Sequence, residues 1–546
     1  MSAHFKWYPS SEEVVVPWNA RYSFPSQANK AVKITPRIPP KNGSQFTPGQ
    51  IIRVEFPAQG YVNPINTTFE FDVTLVGYTG AIGTGSQQTW FQNNIQSIFN
   101  RVRLLYGSTP LEDIMNYNLI VRSLTEWTST NQNGTIDQVS IAEGIGGFCE
   151  GFQAKDVSPL PGAQHVRKTF IQGFDTSGPN LVGLVSPYSV PNKQSGGYTP
   201  VPTGNTSYST RRYQVNLALG LLTQDKLIPV KFMASQLAIE LTLETAAACI
   251  ISNTNGSVTG TPTYAVTNFN MIPEILEFDA SYDSMFLKGL QDGGVPIKFS
   301  SWHTFTFSVG GQANINLQVQ ERSRSVKALF AVQVAGTPDL TTDSHATLFD
   351  SSAYQAGGNS MDQYQWRIGG RYFPAQPVQL SFGPGGANSN GGAEALVELQ
   401  KALNVVGDYR LSSSVNTLRW AIPVGRTITT LGVLDAEVLP QNDYIYAVKR
   451  WTDGGHPVYH KVMASLIDAN AVGSCGEQGS CCFASAIDLE TSNGIEISGL
   501  NAEEQSDISL IANWKYAQAS GRSMTVLSYF DAMIILRENN VLELIQ

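Results

Sequence analysis

Between its glycines and prolines the chain breaks into short runs in which apolar and polar residues alternate, the period of a strand with one buried face. Ile52, Val54 and Phe56 form one such run, Phe69, Phe71, Val73 and Leu75 a second, and Val102, Leu104 and Tyr106 a third. Further on come Tyr213, Val215, Leu217 and Leu219, then Leu237, Ile239, Leu241 and Leu243 facing Glu240, Thr242 and Glu244. Residues 264–278 read as an extension of that same sheet. Only three stretches carry helical spacing. Residues 111–127 put Ile114, Tyr117, Val121 and Leu124 on one face with acids in the first turn, and 280–290 and 393–403 are shorter. The fold class is therefore all-β.

At 546 residues the chain exceeds what one core fills, because cores stop growing near roughly 250–300 residues. The alternation restarts after Gly293 and Gly294, with Phe305, Phe307 and Val309, then Ile315, Leu317 and Val319, then a run from Val326. Two alternating strands followed by an Arg-led third is also the order of the first half, so FNRVRLLYG and SRSVKALFA are read as counterparts. The chain divides into an arm at 1–44, a first domain at 45–290 and a second at 291–546. The second closes with SLIANWKY and TVLSYFDAMIILR. Residues 128–210, rich in Asn, Gln, Gly, Ser, Thr and Pro, are expected to be exposed functional loops. The first thirty residues mix aromatics with Pro9, Pro17 and Pro25, so they are expected to become ordered against a neighbouring subunit.

Charged residues make up 14% of the chain, against roughly 25% in ordinary soluble domains. A surface so poor in charge, on a chain with 25 Phe, 21 Tyr and 9 Trp, suits contact with copies of itself. The net charge is −9 and the basic residues are scattered, with Lys6, Arg21 and Lys30 set against Glu12 and Glu13 near the start. No footprint for a phosphate backbone follows, and direct nucleic-acid binding is not expected. No stretch approaches the roughly 20 apolar residues a membrane helix needs, and the first residues lack an apolar signal core. Synthesis in the cytoplasm is expected, and five cysteines, an odd number, argue against a disulfide framework.

Searching for chemistry gives little. Of the histidines at 4, 165, 303, 345, 456 and 460, only His456 and His460 have a ligand-like gap, and Pro457 sits inside it. Cys475, Cys481 and Cys482 share a Gly- and Ser-rich loop without a C-x-x-C spacing, so loop thiols, or a Cys475–Cys481 disulfide, are expected before a zinc site. The glycine clusters form no phosphate cradle, and no G-x-S-x-G elbow is present. Acidic neighbours such as Glu503 and Glu504 do not make a facing pair. The sequons at Asn66, Asn133, Asn205 and Asn255 are assigned no role. No catalytic, cofactor-binding or metal-binding residue is predicted.

Three segments carry a resemblance: IQSIFNRVRLLYGSTPLEDIMNYNLI at 95–120, RYQVNLALGLLTQDKLIPVKFMASQLAIELTLE at 212–244 and YQWRIGGRYFPAQPV at 364–378. In content and order they resemble the double jelly-roll major capsid proteins of polinton-like viruses, virophages and nucleocytoplasmic large DNA viruses. The resemblance implies two consecutive eight-stranded jelly rolls, with 128–210 as outward tower loops. It further implies homotrimeric, pseudo-hexameric capsomers tiling an icosahedral DNA virus shell, with no enzymatic activity. Partners would be other copies, penton proteins and minor capsid or cement proteins, in the virion; contact with an internal membrane is left open. Two alternatives stand beside it. A single jelly-roll coat protein with a protruding domain often has a basic arm, absent here, and a carbohydrate-binding β-sandwich normally shows a secretion signal and an aromatic, carboxylate-lined cleft.

Overall fold

The computed structural model describes residues 31–76, 88–91, 95–128, 207–253, 263–291, 293–334, 361–380, 392–404, 436–438, 446–453, 456–463, 483–490, 498–504, 507–518, 522–537 and 542–546. Residues 1–30, most of 128–210 and the Cys475, Cys481 and Cys482 loop lie outside them. So do the expectations attached to those segments.

The first half supplies β1 (Ala31–Ile34), β2 (Gln45–Phe46), β3 (Ile51–Glu55), β4 (Tyr61–Val76), β5 (Gln88–Phe91), β6 (Phe99–Tyr106), β7 (Thr109–Ile114), β8 (Ser207–Val215), β9 (Leu237–Leu243), β10 (Ile250–Asn253) and β11 (Thr263–Phe278). One sheet runs β1–β11–β4–β8, with β2 also on β11, and the other runs β3–β9–β6–β7. The second half supplies β12 (Val295–Ser308), β13 (Asn314–Val319), β14 (Val326–Val334), β15 (Met361–Ile368), β16 (Arg371–Gln379), β17 (Ala436–Val438), β18 (Tyr446–Asp453), β19 (His456–Met463), β20 (Ser485–Asp488), β21 (Ile508–Trp514), β22 (Ser523–Leu536) and β23 (Leu542–Ile545). Its sheets run β12–β22–β14–β20, with β23 on β22, and β13–β21–β15–β16.

The two halves share one topology. With β1 and β2 counted as one interrupted strand, and β5, β10, β17–β19 and β23 as additions, each half has eight strands. In both, the first, eighth, third and sixth make one sheet, and the second, seventh, fourth and fifth make the other. That order is the jelly roll. The fold is a double jelly roll. All the pairings within these sheets are antiparallel.

Alternation explains why these segments are strands. Along β13 exposure and burial alternate at every residue, and Phe69, Phe71 and Val73 of β4 are fully buried. Each such apolar side chain contributes roughly 1.5–3 kcal/mol by leaving water. The sheets of the first half meet where Phe71 packs edge-on to Phe99 of β6, ring centroids 5.7 Å apart. Helix α1 (Tyr117–Thr128) follows the fifth strand of the first half, and α3 (Ala393–Ala402) follows the fifth strand of the second. Helix α2 (Ala280–Gln291) connects the halves.

Four local expectations need correction. Residues 111–114 belong to strand β7, and the helix starts at Tyr117 after Asn116, whose φ of 49° breaks the strand. Glu112 and Asp113 are thus strand residues and not first-turn acids. The long β11 lies in the sheet facing β9 and does not extend it. Leu217 and Leu219 fall beyond the end of β8. Finally, FNRVRLLYG falls on β6, a fourth strand, whereas SRSVKALFA falls on β14, a third. The repeat is offset by one strand because the first strand of the first half is split into β1 and β2, four and two residues long, too short to show as alternation.

Candidate functional site: the seam between the two jelly rolls

The two jelly rolls meet along β7 and the segments around it on one side and β12 on the other. At the centre is Glu112, 1% exposed. Its Oε2 accepts from the Gly220 amide at 2.8 Å and the Ser301 hydroxyl at 2.8 Å, and its Oε1 accepts from the Leu221 amide at 2.8 Å. Strand β7 supplies the carboxylate. The short turn Gly220–Thr223 supplies two amides of the same half, and β12 supplies a hydroxyl of the other half. Burial raises the Glu112 carboxyl above its ordinary range, and the bonds from Leu221, Ser301 and Gly220 act against that rise. A buried acceptor with three donors satisfies groups that would each cost about 1–3 kcal/mol if left unpaired.

Around this carboxylate the contact is close and mixed in character. Thr304 Oγ1 donates to the Met115 carbonyl at 3.2 Å, and the Gln546 side-chain amide donates to the Leu111 carbonyl at 3.2 Å, so the chain's last described residue touches the first jelly roll. Trp127 of α1 reaches across to Phe330 of β14, which in turn lies beside Trp302 of β12. Ser301 and Trp302 are consecutive yet both buried, at 2% and 7% exposure. In a strand at a sheet edge that requires cover on both faces, and the first jelly roll supplies the second cover.

A groove opens beside the seam, lined among others by Asp113, Met115, His303, Phe305, Glu321 and Gln546. His303 Nδ1 lies 3.3 Å from both carboxylate oxygens of Glu321. Glu321 also accepts from the Arg322 amide at 2.8 Å, the Ser323 amide at 2.9 Å and the Ser323 hydroxyl at 2.7 Å. Burial would raise this carboxyl, but the bond and charge of His303 and the Ser323 hydroxyl outweigh it and hold the group at about 2. The Glu321 carboxylate is thus engaged from β12 and from its own loop. The pair braces the loop after β13 against β12; the Ser323 hydroxyl in the same groove donates to Glu321, and the Asp113 carboxylate there accepts from Arg101 at 2.6 Å.

The residues singled out from sequence are scattered. His456 and His460 lie on β19, opposite Asp453 and Lys449 of β18 in the ladder. His4, His165 and His345, and Cys475, Cys481 and Cys482, fall outside the described residues. Asn66 donates to Glu274 at 3.0 Å, and Glu503 accepts from Arg324 at 2.9 Å. Among the described residues no group of three or more His, Cys, Asp or Glu side chains is placed to hold a metal ion, and no helix is long and apolar enough to cross a membrane. Sequence reading missed Glu112 as a site residue. The signal available is a Glu two residues before Ile114 at the spacing of one strand face, and the match of Ile114, Tyr117 and Val121 to helical spacing hides it.

No protein-family model and no curated protein matches the chain. Among solved structures it is similar to the quasi-atomic model of the PBCV-1 virus capsid, at 9% identity, with a TM-score of 0.47, over 96% of this chain and 98% of that one. It is similar to the Sputnik virophage structure at 10% identity and a TM-score of 0.47, over 98% of this chain and 92% of that one. The mavirus major capsid protein gives 11% identity and a TM-score of 0.47, over 100% of this chain and 95% of that one. The assignment of the fold rests on this chain's own strand order.

Proposed function

We propose that this chain is a structural shell protein, the major capsid protein of an icosahedral DNA virus, without catalytic activity. One observation carries the reading. Two jelly rolls of identical strand order are joined side by side across a buried, hydrogen-bonded seam, which makes the chain a two-domain tile. The resemblance of residues 95–120, 212–244 and 364–378 to double jelly-roll coat proteins supports it, as does a composition with 14% charged residues. In this reading three chains form a capsomer with six jelly rolls in a near-hexagonal outline, and 128–210 supplies the outer towers. The first jelly roll closes by about 290, and because β1 at Ala31–Ile34 is already part of its sheet, the arm expected at 1–44 is shortened to the residues before 31. The capsomers meet one another, penton proteins and minor capsid or cement proteins in the virion, after synthesis in the host cytoplasm.

The test is the mass and shape of the purified protein. Light scattering on a sizing column should give close to three times the 59.3 kDa chain mass, and negative-stain images should show near-hexagonal particles. A stable monomer at micromolar concentration would rule the reading out.

A further inference from the structure

Strand β1 runs antiparallel to β11, with Ala31 opposite Phe278, Val32 opposite Glu277 and Ile34 opposite Ile275. Followed backwards from Ala31, the chain therefore heads where β11 heads forwards, past Asp279 and toward α2, which starts at Ala280. Residues 1–30 thus join the fold beside the helix that links its two halves. That helix carries apolar side chains on more of its circumference than its packing face. Tyr282 and Phe286, one turn apart, each set their ring 5.5 Å from that of Tyr61 of β4, and Phe278 lies 4.4 Å from Tyr282. Phe278, Tyr282 and Phe286 are only half-buried, and Met285 is 65% exposed. Asp283 marks the side of α2 turned toward β4, since it accepts from the Tyr61 hydroxyl at 3.0 Å and from Lys231, whose amide donates to the Gly60 carbonyl at 3.2 Å. Met285 lies about 160° round the helix from Asp283, at 3.6 residues a turn. At this end of β11 its neighbours are β4 on one side and β1 on the other, so the Met285 flank is the β1 side.

We propose that Tyr22 and Phe24 of the same chain dock on this flank of α2, against Met285 and the edges of Tyr282 and Phe286. Reach and composition identify the occupant. Phe24 stands seven residues before Ala31, a length that an extended chain spans in about 23 Å, and the twelve residues of α2 are about 18 Å long. The intervening PSQANK holds one charge and no large apolar side chain, the composition of a polar tether, and Pro25 favours an extended Phe24. Aromatic rings against a methionine sulfur make a favourable contact beyond the area they bury. The sequence alone directs these aromatics to a neighbouring subunit, whereas the register of β1 directs them back onto their own linker helix. The inference applies to a monomer and to an oligomer alike, so it stands apart from the assembly reading above.

The full-length protein tests this in two ways. With p-benzoylphenylalanine in place of Phe24, irradiation should join position 24 to the peptide spanning 279–291. Coexpressing that chain with one carrying Met285→Leu identifies the owner of the helix, because only a contact within one chain leaves Met285 in every joined peptide. The second measurement is the oxidation of Met285 by hydrogen peroxide, followed by mass spectrometry. In a Tyr22→Ser, Phe24→Ser double variant it should run roughly tenfold faster than in wild type, as expected when a docked segment is released. Met115, 51% exposed beside the seam, should oxidise at the same rate in both proteins. Joined peptides with the Met285→Leu mass would assign the segment to a neighbouring copy and overturn the inference. So would the absence of any joining to 279–291, or equal rates of Met285 oxidation in wild type and the double variant.

Discussion

Trp127, on the helix after the fifth strand of the first jelly roll, stacks on Phe330 of the second jelly roll with ring centroids 5.2 Å apart and an interplanar angle of 27°. Trp127 is 1% exposed, as is Phe330. The stack therefore belongs to both cores, and the two jelly rolls should unfold as one unit while it is present. Trp127→Ala should cost about 3–5 kcal/mol, the usual range for deleting a buried Trp or Phe. Differential scanning calorimetry should then show the single wild-type transition split into two as the halves uncouple.

At Gly220 the backbones of the two halves come close together. A Cβ built there would stand 1.9 Å from the carbonyl oxygen of Ser300, which is main chain of β12 and cannot rotate away. Gly220→Ala should therefore push the seam apart at a cost of about 1–3 kcal/mol or more. Gly289, inside α2, has open space where its Cβ would go. There Gly→Ala should stabilise by about 0.4–1 kcal/mol, since a helical glycine loses more chain entropy on folding. Thermal midpoints of the two variants should move in opposite directions.

How much of this was legible beforehand follows from what each feature needs. The all-β class showed itself because burial on one face writes a period of two into each strand, as in β9 and β13. Helices α2 and α3 also fell where helical spacing placed them. The first strand did not show, because β1 and β2 are too short to carry a period. Strand β7 was absorbed into the following helix, since Ile114, Tyr117 and Val121 match helical spacing across the break at Asn116. Which sheet β11 joins was not legible at all, because sheet membership is set by partners more than a hundred residues away, such as Tyr61 opposite Leu276. The seam was illegible for the same reason: Glu112, Gly220 and Ser301 are brought together only by the fold.

Glu112 gives a prediction with a sign. Its folded-state value is raised above the ordinary 4.5, so its contribution to stability is fully present below that value and is lost as pH rises through the folded value. Glu112→Gln, neutral at every pH, keeps one acceptor oxygen, which can serve the Gly220 amide and Ser301 hydroxyl on one side or the Leu221 amide on the other. It should gain on wild type in urea unfolding as pH rises from 4 to 8. Glu112→Ala strands all three donors and should cost about 3 kcal/mol or more at low pH, at about 1–3 kcal/mol for each unpaired buried group, with the gap to wild type narrowing as pH rises. If Glu112→Gln and Glu112→Ala were equally destabilised, the carboxylate would not be acting through these bonds.

Glu321 should behave in the opposite sense. Its carboxyl is held at about 2 against an ordinary 4.5, so its stabilisation is complete above 4.5 and disappears as pH falls through 2. A displacement of that size corresponds to about 3 kcal/mol, at 1.36 kcal/mol for each pH unit. Glu321→Gln lacks the charge that the His303 ring and the Arg322 and Ser323 amides address, so at neutral pH it should unfold at lower urea than wild type. Between pH 4.5 and 2 the wild-type midpoint should fall toward that of the variant, and near pH 2 the two curves should converge. Because Glu321 is almost fully covered, 0.5 M salt should leave the neutral-pH gap nearly intact, whereas an exposed pair would be screened. A gap that stays constant down to pH 2 would mean that Glu321 stabilises the β12 edge by its shape alone, and that the His303 contact contributes no charge interaction to the fold.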